Sequence, residues 1–250
     1  MSAGLLNMRA QRGCDSGFDW PTKMAGAHES YRWLSYHVAM GRFLRALVVV
    51  LCMTAGLAAQ ANEGARFQRW NQEVGFWGGY SPESMTGIGQ TLDRKFFELN
   101  GQYTVTILAG RKVAVKWVAE VVPVALLNEP GEYYLGTNHQ PLSFRAGATT
   151  YAAGVTPLGM QVNFRNGHRW QPFFDAHGGM LYFTRQEPVP DSSQFNFTFN
   201  FGAGMQLFAG ARSSLLVGYK YHHISNNNTA PQNPGVDSNE VYAGYLWKWK

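Results

Sequence analysis

Along residues 194–208, QFNFTFNFGAGMQLF, apolar and polar side chains alternate almost without a break. Phe195, Phe197, Phe199, Phe201, Met205 and Leu207 fall on one side; Gln194, Asn196, Thr198, Asn200 and Gln206 fall on the other. A period of two marks a strand, because successive side chains leave opposite faces of an extended chain. The run outlasts the ~5–6 residues of an average strand and satisfies the ~9–11 needed to cross a bilayer. Eight segments of this kind are predicted, at roughly 73–81, 95–108, 113–126, 149–164, 169–184, 194–208, 213–226 and 237–249.

The connections between them alternate in length. Short links rich in Gly and Arg stand at 109–112, 165–168 and 209–212, and longer polar links at 82–94, 127–148, 185–193 and 227–236. Tight turns at one end and long loops at the other are the pattern of an outer-membrane barrel, whose turns are periplasmic and whose loops face outward. Strand parity agrees with it. Lys116 and Glu120 oppose Val113, Val115, Trp117 and Val121; Asp175 and His177 oppose Trp170, Phe174, Met180 and Tyr182. Lys220 and His222 oppose Leu215, Val217, Tyr219 and Tyr221, and Glu240 and Lys248 oppose Val241, Tyr245, Trp247 and Trp249. A Lys or Arg facing lipid at mid-membrane costs about 2–4 kcal/mol, so the charges belong in the interior. The expected fold is an all-β, eight-stranded antiparallel transmembrane barrel, filled by its own side chains rather than open as a pore. Asp175, His177, Lys220 and His222 then form interior electrostatics. One departure is the end of the chain, where Lys250 follows the aromatic Trp249.

Composition narrows the choice in the same direction. The 250 residues are 14% aromatic and 15% charged, too apolar for disorder. The longest uncharged apolar run, 46–59, is shorter than the ~20 residues of a spanning helix. Residues 40–61, MGRFLRALVVVLCMTAGLAAQA, read as a secretory signal peptide: Arg42 and Arg45, an apolar centre, and Ala59-Gln60-Ala61 as cleavage box. The expected organisation is an upstream extension or mis-assigned start at 1–39, the signal at 40–61, and the barrel at 62–250. Leu51 before Cys52 does not suit lipidation. Both cysteines, Cys14 and Cys52, precede the barrel, so an exported protein without disulfides is expected. Residues 62–250 hold fifteen Lys/Arg and thirteen Asp/Glu, a net charge of +2 with no basic stripe, so nucleic acid is not an expected partner.

Candidate chemistry gathers at the last hairpin. His223 and Ser225 share the outward parity of Tyr219 and Tyr221, where polar residues have no lumen role, and Asp237 has the same parity on the next strand. Symmetric pairing would set Ser225 opposite Asp237, with His223 diagonal to both. These are the parts of an esterase: a hydroxyl nucleophile, an imidazole base, and an acid that orients the base. Asn226 offers an oxyanion donor. Glu240 is the fallback acid, although its parity is inward. No HExxH is present and no Cys falls within 62–250, so neither metal nor cofactor is expected.

The stretch HISNNNTAPQNPGVD, His223 to Asp237, resembles the last hairpin of the lipid A 3-O-deacylase (PagL) family, which carries His-x-Ser-Asn and an acid twelve positions beyond the serine. Ser225 and Asp237 match that spacing without a gap. The resemblance implies an outer-membrane serine esterase without metal. It would release the 3-O-linked 3-hydroxyacyl chain of lipid A, with lipopolysaccharide and outer-membrane lipid as partners and a homodimer left open. This chain departs from the family in having Asp237 where the best-known members have Glu, and Asn228 where some have Gly. The rival readings are a non-catalytic barrel of adhesin or structural type and a phospholipase-type esterase on the same scaffold.

Overall fold

A computed structural model of the chain describes residues 66–134 and 143–249. The expected extension at 1–39 and signal peptide at 40–61 lie outside the described residues. Among the described residues there are eleven strands: β1 (Gln72–Ser81), β2 (Ser84–Met85), β3 (Lys95–Ala109), β4 (Val113–Glu129), β5 (Glu132–Tyr134), β6 (Ser143–Arg145), β7 (Ala148–Phe164), β8 (Trp170–Phe183), β9 (Phe195–Phe208), β10 (Ser213–Ser225) and β11 (Val236–Lys248). The eight long strands pair antiparallel in the order β1-β3-β4-β7-β8-β9-β10-β11, and β1 also pairs with β11. The sheet therefore closes on itself, which removes the edges that hydrocarbon would not tolerate. Their positions match the alternating segments of the sequence to within a few residues. The short strands are loop furniture: β5 and β6 form a hairpin, and β2 adds two residues to the loop end of β11.

Parity sorts the two faces of the wall. Phe76, Val121, Phe174, Leu215, Val217 and Val241 are exposed outward, while Glu73, Lys116, Glu120, Asp175, His177, Lys220 and Glu240 are buried inside. Exposed Trp70, Trp170, Trp247 and Trp249 gather at the short-turn end, and Tyr80, Tyr151 and Tyr182 at the loop end. These are the two girdles expected of a membrane-spanning barrel. β-bulges interrupt the parity where the register shifts, between Val122 and Ala125 in β4 and between Val155 and Leu158 in β7. Beyond each bulge the odd-numbered residues turn inward, so Leu127, Gln161 and Asn163 are buried in the interior. Pro123 and Pro157 sit in these bulges, where a residue without an N–H is tolerated in a strand.

The interior of the described residues is stacked in layers of buried side chains. Phe67, Ala114 and Phe208 pack at the short-turn end. Above them Lys116 bonds Glu73 at 2.7 Å and Gln206 at 2.9 Å, with its ammonium 3.5 Å from the centre of the Phe67 ring. Next come Trp77, Phe173, Leu216, Tyr242 and Leu246, and then a layer of carboxylates and imidazoles. An apolar plug of Phe96, Leu127, Phe183, Ile224 and Val236, among others, seals the loop end. The Lys116–Glu73 pair has almost no contact with solvent, so losing one partner leaves a lone buried charge. Lys116→Met is expected to cost about 3–5 kcal/mol, read as a lower urea midpoint for barrel unfolding. Adding Glu73→Gln should restore most of the loss.

Candidate active site

The last hairpin brings two of the predicted residues together. His223 on β10 is the direct Cα partner of Asp237 on β11, and its Nδ1 lies 2.5 Å from Asp237 Oδ1. The expectation that Ser225 would stand opposite Asp237 is corrected: β11 runs out at Val236, opposite Ile224, and the Cα partner of Ser225 is Phe197 on β9. The true register is displaced by two residues from the symmetric one, which changes partners but keeps every side chain on its face. Ser225 remains on the outward side with His223, two residues along the same strand and about 6.6 Å away at strand rise. Its hydroxyl makes no hydrogen bond among the described residues.

Loop geometry sets this register. The Asn226 backbone N–H donates to Asn233 Oδ1 at 2.9 Å and its Nδ2 to Gln232 O at 2.7 Å, tying the loop 226–235 across its own base. Asn227 and Asn228 take the left-handed conformation, with φ of 52° and 61°. Asn tolerates that region better than other residues with a Cβ, which accounts for Asn at both positions. Asn226 is thus largely committed to the loop and fully buried, with one hydrogen of its Nδ2 unused among the described residues.

Parity places the pair on the outer wall, yet neither group is open. His223 is 6% exposed and Asp237 0%. The Phe199 ring lies 5.1 Å from the imidazole, centre to centre, and the first outer loop, 82–94, covers the carboxylate. Within that loop the Gly89 N–H donates to Asp237 Oδ2 at 2.8 Å, and the Tyr221 side chain lies against the same carboxylate. Thr91 fixes the loop in turn, donating through Oγ1 to Gly235 O at 2.6 Å. Two-residue pairing of β2 with β11, Met85 to Asp237 and Ser84 to Ser238, completes the clamp. With Nδ1 held by the carboxylate, the imidazole leaves Nε2 to act as base. Hydrogen bonds to a shielded carboxylate are also stronger than they would be in water.

Sequence reading missed this clamp, because Gly87 and Gly89 are nearly 150 positions from Asp237. The signal was three small residues where a Cβ has no room. A Cβ on Gly87 would meet Asp237 Oδ2 at 2.7 Å, and one on Gly235, whose φ is +66°, would meet His223 Cε1 at 3.0 Å. Gly87→Ala is expected to displace the carboxylate and slow catalysis about 10²-fold, the scale of an ångström-sized misplacement. Initial rates on purified lipopolysaccharide check this, with unchanged heat-modifiability as the control for folding.

The remaining candidates sit inside. Glu240 bonds His222 Nδ1 at 2.8 Å on the interior side of the wall, facing away from His223 as its inward parity predicts, and with Asp237 in place no fallback acid is needed. His177 approaches Asp175 at 3.6 Å and Glu120 at 3.5 Å, also within the interior. A shallow depression of about 740 Å³, lined by Gly78, Ala203, Val217 and Ala243 among others, begins some 20 Å along β10 from Ser225 at strand rise. It is not part of the site.

A closed barrel with a plugged polar interior, an apolar wall and aromatic girdles is an integral outer-membrane protein, here with an acid–imidazole pair beside a serine on the lipid side. The model of the family "Lipid A 3-O-deacylase (PagL)" matches residues 53–246. The chain belongs to that family and is an outer-membrane lipid A deacylase. Among solved structures, the crystal structure of the outer membrane enzyme PagL is similar at a TM-score of 0.50 and 18% identity, covering 70% of this chain and 99% of that one. Neisserial surface protein A follows at a TM-score of 0.43 and 12% identity, covering 71% and 97%. OprG from Pseudomonas aeruginosa has a TM-score of 0.40 and 10% identity, covering 74% and 99%. No individually curated protein matches the chain.

Proposed function

We propose that Ser225, His223 and Asp237 form a catalytic triad that hydrolyses the ester holding the 3-O-linked 3-hydroxyacyl chain of lipid A. The observation that carries this reading is the His223–Asp237 hydrogen bond on the outer wall, with Ser225 two residues further toward the loop end of the same strand. Ser225 Oγ attacks the ester carbonyl carbon while His223 Nε2 takes its proton, and Asp237 stabilises the imidazolium. The tetrahedral oxyanion is held by the free Nδ2 hydrogen of Asn226. His223 then returns the proton to the departing sugar oxygen, leaving an acyl group on Ser225. Water, deprotonated by the same imidazole, releases the fatty acid and restores the serine.

Position supports a membrane-lipid ester as the substrate. An ester in the outer leaflet reaches this hairpin sideways, from the membrane, at the level where acyl chains join the sugar. Mass spectrometry of lipid A and phospholipids from cells producing wild type or His223→Ala tests the assignment. Wild type should remove one 3-hydroxyacyl chain from lipid A and leave phospholipids intact, and His223→Ala should leave both unchanged. Lysophospholipid without altered lipid A would favour the phospholipase reading instead, and unaltered lipid in both strains a non-catalytic barrel.

A further inference from the structure

The layer beneath the apolar plug carries more negative charge than its surroundings answer. Glu98, Glu120, Asp175 and Glu240 are all buried there, and Lys220 shares their electrostatic environment. That lysine is not in ion-pair contact with any of them: its ammonium lies over the rings of Trp77 at 3.8 Å and Tyr242 at 4.5 Å. Buried carboxylates without a cation in contact are costly. Three side chains from three strands converge at one point, with Glu98 3%, His222 2% and Glu240 0% exposed. Their ligating atoms lie within 4.8 Å of one another. One oxygen each of Glu98 and Glu240 has no hydrogen-bond partner among the described residues. Nor has the hydroxyl of Ser238, a fully buried residue that is the direct cross-strand partner of His222.

We infer that Glu98, His222 and Glu240 form a structural site for a divalent transition-metal ion, of which Zn²⁺ is the best fit. Zinc–nitrogen and zinc–oxygen bonds of about 2.0–2.2 Å set tetrahedral ligand separations near 3.4 Å. His222 Nδ1 lies 2.8 Å from Glu240 Oε1 and 3.8 Å from Glu98 Oε1, on either side of that value. The ion takes the place of the proton shared by His222 Nδ1 and Glu240 Oε1, which is released to solvent as the barrel forms; two carboxylates and a neutral imidazole then balance its 2+ charge, and Ser238 or a water supplies the fourth position. The single imidazole and small coordination shell favour zinc over calcium, which takes six to eight oxygens. Apolar layers close the interior on both sides, so the ion enters while the barrel forms and is trapped afterwards. The site lies on the opposite face of the wall from Ser225 and makes no demand on the ester chemistry.

The test is to refold the barrel from denaturant into detergent with Zn²⁺ or with EDTA, wash both with EDTA after folding, and count metal by atomic emission. One zinc per barrel should survive the wash in the first sample, and the unfolding temperature should stand above that of the second. Co²⁺ in place of Zn²⁺ should give the visible absorption of a low-coordinate protein complex. His222→Ala and Glu240→Gln should lose their zinc to the same wash. Should these variants fail to fold, the wild-type stoichiometry and cobalt spectrum decide alone. Folded wild type that loses its zinc to the wash, or variants that keep it, would overturn the site.

Discussion

Ser225→Ala should lower the rate of fatty-acid release from lipopolysaccharide by at least about 10³-fold while leaving the barrel as stable as before. The rate falls because no other group stands in line to accept the acyl chain once the hydroxyl is gone. Stability is spared because the Ser225 side chain is half-buried and makes no hydrogen bond, so its removal strands no partner. Time courses of 3-hydroxy fatty acid release, set beside thermal melts in the same detergent, give both numbers. An alanine variant with wild-type activity would end the assignment of the nucleophile.

Asp237→Asn should be nearly as damaging, with a loss of about 10⁴-fold, although it changes neither size nor fold. The carboxylate accepts from His223 Nδ1 on one oxygen and from the Gly89 N–H on the other. An amide has one oxygen. If that oxygen serves Gly89, the –NH₂ faces the imidazole, Nδ1 must become an acceptor, and the proton moves to Nε2, where the base is needed. If the oxygen serves His223 instead, –NH₂ meets the Gly89 N–H and the loop lifts away. Asp237→Glu, the residue of the best-known family members, should retain much more activity, about tenfold below wild type. Its extra methylene presses on a loop that already leaves no space for a Cβ at Gly87 and is pinned through Thr91 and β2. A glutamate variant faster than wild type would show that the clamp has slack.

How much of this was legible beforehand depended on the range over which each feature is encoded. Strand alternation is local, and the Phe195–Leu207 pattern alone identified a lipid-facing strand. The exceptions were marked too: Pro123 and Pro157 lie where the register shifts, and attention to them would have located both parity changes in β4 and β7. The His223–Ser225–Asp237 constellation was legible because it spans one hairpin. Its pairing was not, since the symmetric register ignores the left-handed Asn227 and Asn228 and the cross-ties of Asn226. A two-residue displacement keeps faces intact, so parity reasoning survived the error that misassigned the partner.

By itself the sequence determined which residues meet lipid and which fill the interior, and it pointed to the hairpin proposed to carry the chemistry, because these follow from a period of two and from contacts a few residues apart. Only the closed barrel decided what supports that chemistry. The glycines of the first outer loop reach Asp237 because β1 pairs with β11, the strand furthest from it in the chain. Glu98, His222 and Glu240 converge because inward side chains of a narrow cylinder have nowhere else to go. Neither contact has a spacing along the chain from which it could be read; closure of the wall creates both.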